Sequence, residues 1–177
     1  MIDLSFFLFY NYIGGTMKKI MLIFILILLT GCMNESDNIK FKKEYENNKS
    51  EIILTIPEDN YMKYTSKEKV LEIIKTGTGV IYIGNANNTE CRQIVKTLIN
   101  AADSTDLETI YYYNEEDIDF LKDYFGNTII PTVIFVYEGE IKSFKQGFES
   151  EEELYDTYLD GIHDVLNDIC DDDCNDW

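Results

Sequence analysis

The chain alternates short apolar runs with polar stretches, and the period of each run sets the element expected there. After Lys18 and Lys19, residues 20–29 are apolar throughout and lead into Leu28-Leu29-Thr30-Gly31-Cys32. Residues 33–50 are polar and charged without a sustained apolar period. They read as a solvated tether reaching ~60 Å if fully extended. Ile52, Ile53, Leu54, Thr55 and Ile56 form a strand-like run stopped by Pro57. Thr65-Ser66-Lys67-Glu68 has the pattern of a helix start, and Val70, Leu71, Ile73 and Ile74 continue it at helical spacing up to Thr76-Gly77. Val80-Ile81-Tyr82-Ile83 is the continuous apolar run of a strand buried on both faces. Helical spacing returns at Cys91, Ile94, Val95, Leu98 and Ile99. Residues 109–113 predict a further strand, and Ile118, Phe120, Leu121, Tyr124 and Phe125 a helix ended by Gly126. Residues 132–137 and 141–145, joined by Glu138-Gly139-Glu140, predict an antiparallel hairpin. Leu154, Tyr158, Ile162, Val165, Leu166 and Ile169 mark a last helix with one apolar face. The predicted order is βαβαβαββα, an α/β chain with no internal repeat.

The run at residues 20–29 is about half of what a helix needs to cross a ~30 Å hydrocarbon core, so it reads as the apolar region of a cleaved signal. Lysines before it and small residues ahead of Cys32 resemble the lipobox of bacterial lipoproteins. That resemblance implies cleavage before Cys32, its lipidation with palmitate-type chains, and a mature protein anchored on the extracytoplasmic face of the cell membrane. A plain signal peptide with an incidental cysteine is the alternative. Residues 1–16 place an apolar stretch ahead of the lysines, inverting the usual order, whereas Met17 gives the expected one. The expected initiator is therefore Met17.

Charge narrows the partners. The chain has 33 acids against 15 bases and a formal net charge of −18. Losing residues 1–31, with Asp3, Lys18 and Lys19, leaves it one unit more negative. So acidic a surface repels nucleic acid and anionic lipid, so no nucleic-acid partner is expected and a lipid chain would have to hold the protein at a membrane. The expected domains are 1–31 (upstream extension and signal), 32–50 (lipidated cysteine and tether), 51–169 (one folded domain) and 170–177 (an acidic tail). With Cys32 lipidated, Cys91, Cys170 and Cys174 remain, an odd number in an oxidising compartment.

The βαβαβαββα order resembles the thioredoxin fold over residues 51–167. Its most specific parts are Val80-Ile81-Tyr82-Ile83-Gly84 leading to Cys91, and Ile130-Pro131-Thr132-Val133-Ile134-Phe135 followed by Glu138-Gly139. Within that superfamily the chain is similar to the bacteriocin transport accessory proteins, in which a strand ending Tyr-Ile-Gly or Tyr-Phe-Gly runs into a Cys-x-x-Cys helix start. The resemblance implies a central mixed sheet flanked by helices. It also implies a cis-proline at Pro131 facing the helix start, and a groove along Asn88, Cys91, Ile130 and Pro131 that takes extended peptide by strand addition. An ordinary trans proline at a strand's first residue is the alternative for Pro131.

The motif itself departs from the family. Its window reads Asn88-Thr89-Glu90-Cys91, so the attacking cysteine is Asn88 and only the resolving position, Cys91, keeps its sulfur. Asn87 stands where thioredoxins carry an aromatic residue, and Tyr82 where they carry a buried acid. Asn88 suits an N-cap, and Cys91 is either a small packing residue or a working thiol. Dithiol exchange by this motif is not expected.

For Cys170 and Cys174, separated by three aspartates, a local disulfide is expected first, with a loose metal site or intermolecular pairing as the alternatives. In the thioredoxin fold the last helix runs ~28 Å away from the cysteine end, which disfavours a bridge to Cys91. His163, the single histidine, falls beside that helix's apolar stripe and is expected on the surface. No metal or cofactor is expected. Two functions stay open: a lipid-anchored binder of exported peptide or a partner, without dithiol turnover, and a thiol–disulfide exchange enzyme using Cys91 alone or with the tail cysteines.

Overall fold

The computed structural model describes residues 35–47, 55–114 and 118–166. The chain divides into two compact units, 1–35 and 36–177, and every element below belongs to the second. The expectations for Cys32, Cys170 and Cys174, and for most of the strand at residues 52–56, lie outside the described residues.

The elements are α1 (Asp37–Glu46), β1 (Met62–Tyr64), α2 (Lys67–Thr76), β2 (Gly79–Ile83), α3 (Thr89–Asp103), β3 (Ile110–Tyr113), a 3-10 turn (Asp119–Leu121) running into α4 (Lys122–Phe125), β4 (Thr132–Tyr137), β5 (Glu140–Gln146) and α5 (Glu151–Leu166). One mixed sheet has the order β1-β3-β2-β4-β5. β1, β3 and β2 are parallel, while β4 pairs antiparallel with both β2 and β5. This topology is the one that the thioredoxin resemblance implies.

Alternation along the central strands divides the interior into two cores. Val80 and Tyr82, Ile110 and Tyr112, and Val133 and Phe135 face a core closed by α1, α3 and α5. Ile81 and Ile83, Tyr113, and Ile134 and Val136 face a second core closed by α2 and the 3-10 turn. The local signals are those read in the sequence. Ser66 caps α2 by accepting from the Lys69 N–H at 3.3 Å. Gly126 takes φ +70° and ends α4. Glu138 and Gly139 turn the hairpin with φ +48° and +78°, the left-handed pair that matches strand twist. At Gly161 a Cβ would lie 2.6 Å from the Phe135 ring, so a bare backbone lets α5 close on the sheet.

Two expectations are corrected. Residues 33–50 are no simple tether, because α1 occupies ten of them and docks. Its Phe41 and Tyr45, one turn apart, are fully buried, stack at 4.4 Å, and meet Tyr112 edge-on at 4.7 and 6.0 Å. Two aromatic anchors and Ile39 among seven polar residues make no visible period, and a helix this short owes its stability to tertiary packing. Second, among the described residues the sheet's first strand is Met62–Tyr64, which the sequence pattern did not mark. Ile56, the last residue of the run at 52–56, is buried outside any strand, its N–H donating to Glu46 Oε1 at 2.8 Å. Tyr61, with φ +64°, turns the chain into β1.

Candidate functional site

The candidate site lies at the end of the sheet where β2 stops and the loop of residues 84–88 leads into α3. Asn88 is the N-cap: its backbone is extended and its Oδ1 accepts from the Cys91 N–H at 2.9 Å. Asn85 organises the loop, its Oδ1 accepting from the Asn87 N–H at 2.7 Å and its carbonyl from the Asn88 N–H at 3.0 Å. Register puts Thr132 opposite Ile83, so Pro131 sits at this same sheet end. The Ile130-Pro131 bond is cis, and the Pro131 carbonyl accepts from the Gly147 N–H at 2.8 Å.

Cys91 does not line a groove, contrary to expectation. It is fully buried, and its Sγ accepts from the Asn85 N–H at 3.4 Å. The reason is helical phase: a residue three positions into α3 faces the sheet, where the Tyr82 hydroxyl donates to the Cys91 carbonyl at 3.3 Å. Burial pushes the thiol above its ordinary value and Glu90 adds to that, against smaller opposing effects of the Asn85 N–H and the Tyr82 hydroxyl. A reactive thiolate needs the opposite setting, exposed and electropositive. Pro131 is buried, while Asn88 and Ile130 are partly exposed. What remains accessible from the expected set is Asn88 and Ile130, beside Ile129, which is 53% exposed.

Tyr82 is fully buried beneath the start of α3. Its hydroxyl lies 2.9 Å from that of Tyr45, and burial pushes both phenols well up. Neither is a proton acceptor for the thiol. The arrangement joins α1 to the site instead, and sequence reasoning missed it. Arg92, the single arginine of the chain, is buried and donates from Nη1 to the Tyr45 carbonyl at the end of α1. Glu44 accepts from the Tyr64 hydroxyl, from the Tyr112 hydroxyl at 3.2 Å and from Asn114 Nδ2 at 2.8 Å. The available signal was that lone arginine among fourteen lysines, directly after Cys91.

His163 is exposed on α5, as expected. Among the described residues no group of three or more His, Cys, Asp or Glu side chains is placed to hold a metal ion, and no helix is long and apolar enough to cross a membrane.

Topology, the cis-proline turn and the capped helix start define an α/β domain of thioredoxin-like fold, with Asn88 capping α3 and Cys91 three residues on. No family model and no curated protein matches the chain. Solved structures similar to it are thioredoxins. That of Trypanosoma brucei brucei is 12% identical, with TM-score 0.48, over 64% of this chain and 98% of that one. A mutant thioredoxin from Halobacterium salinarum is 16% identical, with TM-score 0.45, over 60% and 92%. The thioredoxin of Aeropyrum pernix is 14% identical, with TM-score 0.44, over 58% and 86%.

Proposed function

We propose that this is a lipid-anchored, extracytoplasmic thioredoxin-like protein that binds exported peptide or a partner protein beside the Ile130-Pro131 turn, without dithiol turnover. One observation carries the negative half. The attacking position is an asparagine engaged as a helix cap, and the surviving cysteine is sealed under the helix with its thiol pushed up. A mixed disulfide needs an accessible thiolate, and its release needs a second thiol three residues away. The binding half rests on the strand-end turn that keeps Ile130 partly exposed next to an exposed Ile129. Extended peptide recognised there would gain main-chain hydrogen bonds and apolar contacts. If the likeness to bacteriocin transport accessory proteins is functional, the client is a secreted, disulfide-containing peptide. The anchor rests on the lipobox-like Leu-Leu-Thr-Gly-Cys ending at Cys32.

The competing reading is thiol–disulfide exchange, and insulin reduction by dithiothreitol separates the two. Wild type, Cys91→Ser and the Cys170→Ser/Cys174→Ser double variant are expected to match the uncatalysed rate. Acceleration by wild type that disappears in either variant would overturn the proposal. For the anchor, labelled palmitate is expected to enter wild type and not Cys32→Ala. Equal labelling of both would sink that assignment.

A further inference from the structure

We propose that the protein stands on the membrane by the end of the sheet opposite the candidate site, so that Asn88 and Ile130 face away from the lipid. The inference rests on the lipid anchor at Cys32 proposed above and adds an orientation to it.

Covalent reach limits where α1 can sit. α1 starts at Asp37, five residues after Cys32. Five residues span at most about 18 Å. The start of α1 is therefore confined close to the headgroups, not free to drift over the ~60 Å that an unstructured residue 33–50 segment would allow.

α1 is also fixed to the domain in one direction. At its beginning, the Asn38 carbonyl accepts from Asn60 Nδ2 at 2.9 Å, just ahead of β1. Asp37 and Asn38 line a shallow cavity of about 420 Å³ with Asp59, Met62, Glu108 and Thr109, where β1 and β3 begin. At its end, Glu44 reaches Tyr64 and Asn114, at and just beyond the ends of β1 and β3. Tyr45 then meets Tyr82 and Arg92 beneath the start of α3. α1 thus runs alongside the parallel strands, from their beginnings to the site end. Its ten residues cover about 15 Å.

A short tether keeps its own end of the docked helix nearer the lipid, and the acidic surface disfavours laying the other end against it. The charges at the tethered end, Asp37, Asp59 and Glu108 against Lys63, give it no attraction of its own for an anionic surface. Contact with the bilayer is then set by the lipid chain alone. A client of the site end would approach from the aqueous side.

The test uses the full chain in membranes of the bacterium that expresses it. Glu108→Cys and Asn87→Cys, both at exposed positions, are made separately with Cys170→Ser/Cys174→Ser and labelled with a thiol-reactive fluorophore. Buried Cys91 does not compete for label. A phospholipid carrying a nitroxide on its headgroup is the quencher, and palmitate incorporation is measured on the same samples. The expected result is palmitate in both, with quenching at position 108 exceeding that at position 87 by about twofold or more, as a ~15 Å offset demands of a short-range quencher. Palmitate with equal or reversed quenching would overturn the orientation and leave the anchor standing. No palmitate would overturn the anchor and the orientation together.

Discussion

At the level of single residues, one substitution, Asn88→Cys, would set two thiols at the start of α3, and the outcome is testable. Asn88 and Cys91 stand at the N-cap and three residues in, with the Asn88 Oδ1 already 2.9 Å from the Cys91 N–H. Asn88→Cys is expected to form a disulfide with Cys91, seen against the reduced variant as a loss of 2 Da in the intact mass and of two thiols by alkylation, and to gain insulin reductase activity. The lost cap costs about 1 kcal/mol, too little to unfold a typical domain. A folded variant that keeps both thiols free would show that the two positions do not meet. The buried hydroxyls and thiol make a second prediction. Cys91, Tyr45 and Tyr82 have proton affinities raised in the folded state, chiefly by burial. Each therefore holds its proton more tightly folded than unfolded, so their contribution to stability is complete below the ordinary values and is lost as pH rises past them. Denaturant midpoints should be flat up to about pH 8.5 and fall steadily above it. Tyr82→Phe should flatten that fall while lowering stability at neutral pH, because its partner hydroxyl on Tyr45 loses a bond. An identical alkaline slope in the two proteins would refute the assignment.

At the level of elements, what could be read in the sequence depended on whether an element stabilises itself locally. β2 announced itself through four consecutive apolar residues, α3 through five apolar positions at helical spacing, and the hairpin through Glu138-Gly139. α1 and β1 gave no such sign. α1 depends on Phe41 and Tyr45 filling space beside Tyr112, a contact between residues about seventy positions apart. β1 is three residues long, with Met62 alone fully buried, and its pairing with β3 is non-local. The candidate site divides the same way. Its cap was legible from the residue type and its proline turn from the resemblance, whereas the burial of Cys91 follows from the phase of α3 and the roles of Tyr45 and Arg92 from α1's docking. Phe41→Ala is the direct test of that docking, since removing a fully buried phenylalanine costs ~3–5 kcal/mol. Lys43→Ala, at an exposed position of the same helix, should stay within about 0.5 kcal/mol of wild type. Equal denaturant midpoints for the two variants would return residues 37–46 to the status of a loose tether.

At the level of the whole molecule, the excess of acids acts on everything else. A formal charge of −18 on 177 residues means self-repulsion in the compact state, and several of the described lysines serve local pairs. Lys42 lies 3.9 Å from Glu46, Lys69 2.7 Å from Glu72, and Lys122 2.8 Å from Asp119, each one turn along a helix and open to water. Exposed pairs of this kind contribute ~0–1 kcal/mol each, and salt weakens them. Two effects of salt therefore compete: screening relieves the general repulsion and also loosens the pairs. The repulsion acts among all the unpaired acids over distances comparable with the Debye length, which falls from about 30 Å at 0.01 M to about 8 Å at 0.15 M ionic strength. A few surface pairs cannot outweigh it. The melting temperature is expected to rise as sodium chloride is raised from 0.01 to 0.15 M, and an uncharged solute at the same osmolarity should raise it far less. A fall in melting temperature over that range would mean that the paired charges, rather than the excess acids, govern the electrostatics of the fold. The same repulsion opposes close approach to an anionic bilayer. That is why an acidic domain held at a membrane by a lipid chain and a five-residue link would meet the surface at its tethered end rather than lie along it.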